Sequence, residues 1–130
     1  MTLLIRTDFT DQARWDELRA VLATPTEEGL LADVALLERP EYADLSPVQL
    51  LALLHSPDPQ RLLLLADRET FSSHELPVLV VDLLARRELR AVASQLWSVE
   101  SNLSLATMDF EEFERAAAEE DGVFRGFSEF

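Results

Sequence analysis

The 130-residue chain has no cysteine, no lysine and only three glycines. The absence of cysteine excludes disulfide bonds, thiolate metal ligands and a cysteine nucleophile. A glycine-rich phosphate-binding loop is excluded as well, because Gly29, Gly122 and Gly126 do not form a GxGxxG or GxxxxGK pattern. Arginine supplies all 11 basic residues. We interpret this as the coding bias of a GC-rich genome and draw no functional conclusion from it.

Positive charge is scarce in this chain. Its 25 acidic residues outnumber the 11 basic ones and give a formal net charge of −14. Such a charge repels phosphate groups, so it argues against binding to nucleic acid or to an anionic membrane surface. A basic protein partner is compatible with it, and so is a purely solubilising role. The oligomeric state stays open, and no cofactor is predicted.

Long apolar runs are also missing. None approaches the roughly 20 residues that a membrane-spanning helix needs, and a charge follows the N-terminal run of three apolar residues at once, unlike a signal peptide. These features predict a soluble cytoplasmic protein. A hydrophobic fraction of 48% in 130 residues predicts one globular domain over residues 1–130.

Short apolar segments predict about five strands, at residues 3–7, 32–37, 62–66, 78–81 and 90–93. The second is the least distinct, since its leucines and alanines also suit a helix. The third and fourth do not alternate with polar residues, which indicates strands buried on both faces. About ten residues without helical periodicity separate these two, too few for a crossover helix, so we expect an antiparallel pair.

Helical periodicity and capping signals predict about four helices. The first follows Thr10 as the N-cap and ends before Pro25; the second starts at Ser46 with a capping box; the third runs from Ser94; the fourth starts at Asp109 and stops near Gly122. The order of elements predicts an α/β domain with a mixed central sheet covered by helices. A two-layer α+β arrangement is the alternative.

Three stretches carry a family resemblance. They are Leu4-Ile5-Arg6-Thr7-Asp8-Phe9-Thr10 leading to Trp15, Leu96-Trp97-Ser98-Val99-Glu100-Ser101-Asn102-Leu103-Ser104, and Met108-Asp109-Phe110-Glu111-Glu112-Phe113 followed by Asp121-Gly122-Val123-Phe124-Arg125-Gly126-Phe127. In these the chain resembles a family of small acidic bacterial proteins, mostly actinobacterial, that is described as a domain of unknown function. The resemblance covers nearly the whole chain and implies a single bacterial domain. It implies no activity, cofactor or catalytic residue.

Aspartate follows three of the apolar segments, at Asp8, Asp67 and Asp82. If all three strands were parallel, these carboxylates would meet at one sheet edge and could bind Mg²⁺ for phosphoryl transfer or hydrolysis. The expected antiparallel pair instead places Asp67 and Asp82 at opposite ends of the sheet. We therefore favour structural roles for these aspartates, as strand ends or helix caps, and keep the magnesium enzyme as the alternative.

The two histidines, His55 and His74, have no metal-ligand spacing. Ser73-His74-Glu75 groups the residue types of a hydrolytic triad, but neighbours in sequence rarely form one, and the chain has no GxSxG motif. We expect both histidines in turns or on the surface.

The C-terminal quarter combines acidic and aromatic residues. Residues 100–130 hold nine acids and two arginines, a net charge of −7. The leading prediction is a non-catalytic interaction module for a basic protein, with an immunity-type inhibitor of a basic effector as one form. The predicted partner-binding residues are Trp97, Glu111, Glu112, Glu114, Glu119, Phe124 and Phe127. Helical spacing also suits Trp97 and Trp15 to core packing, and Phe124, Phe127 and Phe130 are expected to fold back onto the domain.

Overall fold

The computed structural model describes residues 1–54 and 61–127. Six strands lie in these ranges: β1 (Thr2–Arg6), β2 (Val34–Leu37), β3 (Leu62–Ala66), β4 (Pro77–Asp82), β5 (Arg87–Val92) and β6 (Val123–Phe124). The α-helices there are α1 (Gln12–Ala23), α2 (Pro47–Leu53), α3 (Arg68–Ser72), α4 (Leu96–Ser104) and α5 (Phe110–Ala118). Two 3-10 turns cover Pro40–Tyr42 and Ala93–Gln95.

The strands form one mixed sheet in the order β2-β1-β3-β4-β5-β6. β1 pairs in parallel with β2 and β3, whereas β4 runs antiparallel to both of its neighbours, and β5 pairs in parallel with β6. The predicted mixed α/β sheet is therefore confirmed, as is the antiparallel pairing of residues 62–66 with 78–81. The sheet has one strand more than expected, because β6 adds two residues to the free edge of β5.

Local signals explain where most helices begin. The Ser46 side chain accepts a hydrogen bond from Gln49 N, and Gln49 Oε1 accepts one from Ser46 N, which confirms the predicted capping box of α2. The N-cap of α1 is Asp11, however, not the predicted Thr10. The hydroxyl of Thr10 instead donates to Asp8 Oδ1, 2.7 Å away, at the end of β1.

Between β3 and β4 the prediction of no helix was wrong. Asp67 caps the short helix α3: its carboxylate accepts a hydrogen bond from Thr70 N, and its backbone N donates one to the Thr70 hydroxyl. A five-residue helix has less than two turns, so it is too short to show an apolar periodicity. This helix places Phe71 against Trp15 of α1, with their ring centroids 6.4 Å apart.

Apolar side chains fill both faces of the sheet. One face packs against α1, α4 and α5, with Trp15, Leu103 and Phe113 fully buried there. The other face packs against α2 and includes Leu50 and Leu63. Every residue of β3 is buried, as the unbroken leucine run predicts for a central strand. None of the helices in residues 1–54 and 61–127 is long and apolar enough to span a bilayer.

The C-terminal segment folds back onto α5. The chain turns after the helix at Gly122, whose positive φ of 82° suits glycine. Phe124 is fully buried, and the rings of Phe113, Phe124 and Phe127 lie 5.0 to 5.3 Å apart. Phe124 therefore belongs to the core, and we withdraw it from the predicted partner-binding residues. Phe127 stays 44% exposed, and Phe130 lies outside the described residues.

Candidate functional site

The parallel strands β1 and β3 open a polar crevice at their carboxyl ends. From β1 the chain continues through α1 to β2 on one side, while from β3 it continues to β4 on the other. Ligands of open α/β sheets bind at such divergence points. The crevice has a volume of about 600 Å³. It is lined by Thr7, Asp8, Asp44, Leu45, Asp67, Arg68, Glu69, Ser72 and Arg90.

Asp67 lies in this crevice and is tightly held by its neighbours. Its two carboxylate oxygens accept hydrogen bonds from Arg90 Nη1 and Nη2 at 2.9 and 2.7 Å, and Oδ1 also accepts one from Thr70 N at 3.1 Å. Partial burial alone would raise the pKa of Asp67, but the hydrogen bonds from Arg90 and Thr70 outweigh burial and hold the pKa below its ordinary value. Asp67 is therefore an ionised structural carboxylate that fixes α3 against β5.

Arg90, Glu69 and Asp8 at the crevice are engaged as well. Arg90 also pairs with Glu69 and donates to the carbonyl oxygen of Pro77. Asp8 is only 6% exposed, and its Oδ1 accepts hydrogen bonds from the backbone and the hydroxyl of Thr10 at 2.9 and 2.7 Å. Asp8 and Asp67 thus lie at the same edge of the sheet, and both carboxylates accept hydrogen bonds from groups of the protein itself.

Asp82 lies at the opposite end of the sheet. The antiparallel register pairs Asp82 with Leu62, the first residue of β3, whereas Asp67 follows the last. Asp82 is fully buried and accepts hydrogen bonds from Arg61 and from the backbone of Leu84 and Ala85. The alternative in which Asp8, Asp67 and Asp82 share one magnesium ion is therefore wrong. No group of three or more potential metal-ligating side chains occurs within residues 1–54 and 61–127.

The Ser73-His74-Glu75 group does not have the geometry of a triad. The carboxylate of Glu75 is bound by Arg125, with Nε to Oε2 at 2.8 Å and Nη2 to Oε1 at 3.0 Å. These hydrogen bonds lower the pKa of Glu75. The Ser73 hydroxyl accepts from the backbone of Glu75, and His74 is exposed, as expected. His55 lies outside the described residues.

The predicted acidic face on α5 divides into two parts. At its N-terminal end Glu112 accepts from Asp109 N, while Glu111 and Glu114 both approach Arg87 Nη1, at 3.3 and 2.9 Å. These glutamates are therefore partly neutralised or used as caps. Beyond the C-terminal end of α5 three consecutive carboxylates, those of Glu119, Glu120 and Asp121, are exposed.

The two tryptophans have different surroundings. Trp15 is fully buried, as its helical spacing predicts. Trp97 is half-buried and lines a surface groove. Sequence reasoning missed Arg6, whose side chain is 2% exposed and lies between the rings of Phe9 and Trp15, at 4.5 and 5.2 Å. The available signal was its position two residues after Leu4, on the strand face that meets α1.

Residues 1–127 match a protein family whose description is "Domain of unknown function (DUF6924)". The chain belongs to the DUF6924 family. Membership of DUF6924 confirms the resemblance to a domain of unknown function and spans both the crevice and the acidic face. No curated protein matches the chain, so the roles of these DUF6924 residues rest on their geometry.

Proposed function

We propose that this DUF6924 domain is a non-catalytic interaction module that binds a basic protein partner. The main support is a cluster of three exposed carboxylates, those of Glu119, Glu120 and Asp121, which we call the α5 acidic end. Within the described part of the chain, none of the three forms an ion pair with an arginine.

The position of the α5 acidic end is unfavourable for the fold itself. A helix carries partial negative charge at its C-terminus, so carboxylates there destabilise it by roughly 0.3 to 1 kcal/mol each. Asp121 has a φ of +58°, a left-handed conformation in which aspartate is enriched among non-glycine residues, so backbone geometry accounts for an aspartate there. Arg125 Nη1 donates to the carbonyl oxygen of Glu120, but its guanidinium group is already paired with Glu75. Local stability thus does not account for the two glutamates, and a cationic partner would relieve their repulsion.

Long-range electrostatics favour the same partner chemistry. The formal net charge of −14 attracts a basic protein from a distance and accelerates its association at low ionic strength. The contacts of the strand-end aspartates support binding over catalysis, since each already accepts hydrogen bonds from the protein. We propose a cytoplasmic location for this interaction.

A matched pair of charge variants tests the proposal. Glu119→Arg/Glu120→Arg reverses the α5 acidic end, while Glu41→Arg/Glu88→Arg makes the same charge change at two exposed positions outside α5. We expect cross-linking in the source cell to capture a basic protein with wild type and with the second variant, and to lose it with the first. The first variant should melt no lower than wild type, because arginine suits a helix C-terminus. Equal capture by both variants, or no basic partner at all, would contradict the proposal.

A further inference from the structure

An apolar groove lies on a different surface from the α5 acidic end. It runs between the C-terminal half of α1, the following segment 24–32 and the start of α4, and we call it the Trp97 groove. Its volume is about 380 Å³. Its lining residues are all uncharged and include Thr24, Thr26, Leu30, Leu31, Ala93 and Trp97.

The Trp97 groove presents apolar side chains to the outside. Leu30 and Leu31 are 43% and 48% exposed, and Trp97 is half-buried beside them. A half-buried tryptophan in an apolar groove is typical of a protein-binding anchor site, because tryptophan is enriched among the residues that dominate the energy of such interfaces. The groove thus offers contact area that the domain does not use for its own core.

The two threonine hydroxyls in the groove wall are already engaged within the protein. The Thr24 hydroxyl donates to the carbonyl oxygen of Ala20 at 2.7 Å, and the Thr26 hydroxyl accepts from Leu30 N at 3.0 Å. Recognition through these hydroxyls would first have to break those hydrogen bonds. The groove therefore suits an apolar group better than a polar one.

Charge around the groove has a single sign. Residues 20–38 contain no arginine or lysine, and their charged residues are Glu27, Glu28, Asp33 and Glu38. Glu27 and Glu28 are exposed and stand two to four residues from the rim leucines. A ligand that covers Leu30 and Leu31 consequently meets a negative field beside an apolar surface, and its complement is an apolar group flanked by positive charges.

The rim leucines of the groove are nearly half exposed, whereas small-molecule sites bury most of their ligand. We propose that the Trp97 groove binds a basic amphipathic helix, which packs its apolar face on Trp97 and the rim leucines and places lysine or arginine beside Glu27 and Glu28. The proposal does not depend on the α5 acidic end, because it concerns another surface and other residues.

The two tryptophans make a direct assay possible. Trp15 is fully buried, so acrylamide quenching of the intrinsic fluorescence reports mainly on Trp97. The probe is a synthetic amphipathic helix of roughly 18 residues, about five turns, with leucine on one face and lysine on the other. Its control is the same peptide with glutamate in place of lysine. We expect the lysine peptide to reduce the quenching constant at least about twofold and the glutamate peptide to leave it unchanged.

Two pairs of variants locate the binding. Leu30→Ser/Leu31→Ser removes the rim leucines, and its control, Leu84→Ser/Leu105→Ser, removes two leucines that are 78% and 73% exposed elsewhere. Glu27→Arg/Glu28→Arg reverses the rim charge, and its control, Glu41→Arg/Glu88→Arg, makes the same charge change at two exposed positions that do not line the groove. A further variant, Glu119→Arg/Glu120→Arg, reports whether the peptide binds at the α5 acidic end instead. Each groove variant should weaken the lysine peptide about tenfold, a change of about 1.4 kcal/mol, and each control less than about threefold.

Three outcomes would overturn the proposal. They are no binding of the lysine peptide, equal binding of the glutamate peptide, and equal weakening by groove and control variants. Weakening only by Glu119→Arg/Glu120→Arg would place the peptide at the α5 acidic end, which would refute the Trp97 groove and support the function proposed above. Conversely, if Glu119→Arg/Glu120→Arg abolishes capture of the cellular partner, the expected binding of the lysine peptide to the Trp97 groove does not change.

Discussion

The pair of Asp67 and Arg90 gives the sharpest test of how the crevice is built. Asp67→Ala removes the N-cap of α3 and both hydrogen bonds to the guanidinium group of Arg90. Loss of a cap costs about 1 kcal/mol, and hydrogen bonds to a charged group contribute about 1.5 to 3 kcal/mol. The pair is only 26% and 16% exposed, so solvent screens it weakly.

One contact offsets part of this loss. Arg90 keeps its ion pair with Glu69 when Asp67 is removed. We therefore expect Asp67→Ala to lower the free energy of unfolding by about 2 to 4 kcal/mol, which lowers the melting temperature of a domain of this size by roughly 6 to 15 °C. Asp67→Asn still caps α3 and loses mainly the charge, so we expect about 1 to 2 kcal/mol.

The pH dependence has a definite sign. Because the pKa of Asp67 in the folded state lies below its ordinary value of 3.8, its ionised form stabilises the fold. This stabilisation is complete above the unfolded pKa and is lost as the pH falls through the folded pKa. The difference in stability between wild type and Asp67→Asn should therefore be constant near neutral pH and shrink below about pH 4.

Urea unfolding followed by far-UV circular dichroism measures these values, in a double-mutant cycle with Arg90→Met. We expect a coupling energy of about 1 to 3 kcal/mol between the two positions at neutral pH. The control pair is Asp16 with Arg19 on the exposed face of α1, for which a much smaller coupling energy is expected because solvent screens the pair. A coupling no larger than that of the control, or a difference that does not change with pH, would refute this account of the crevice.

Three further substitutions check other parts of the structure, all by chemical denaturation. Phe124→Ala should cost about 3 to 5 kcal/mol because its ring is fully buried, and an unchanged stability would contradict its place in the core. Arg87→Ala should cost less than about 1 kcal/mol, since its pairs with Glu111 and Glu114 are at the surface. Gly126→Ala should cost about 1 kcal/mol or more, because φ is +108° and a Cβ would lie 3.3 Å from a neighbouring side chain.

The fold was predictable where the local signal matched the tertiary environment. The apolar runs in β3 and β4 are unbroken because both faces of these strands are covered. The helix starts at Ser46 and Asp109 were predictable because each capping box involves only residues within one turn of the helix. α3 and β6 escaped prediction for the opposite reason. Each element is too short to show a periodic pattern of apolar residues. Each depends instead on contacts with residues distant in sequence, such as the salt bridge from Asp67 to Arg90.

The candidate site was predictable only in part. The sequence places an aspartate after β1 and another after β3, but their meeting depends on the parallel pairing of two strands that are about 60 residues apart. The partner Arg90 could not be inferred, since it comes from β5, two strands away. The apolar groove depends likewise on the approach of α4 to the end of α1, which no local pattern encodes.

The arrangement of strand lengths has a consequence for self-association. Of the six described strands, the two at the margins of the sheet, β2 and β6, are the shortest, with four and two residues. Such short edge strands offer few unpaired backbone N–H and C=O groups for hydrogen bonding to a strand of another chain, which protects against fibre growth by edge-to-edge addition. Any assembly that this protein forms should therefore rely on side chains and respond to point substitutions and salt.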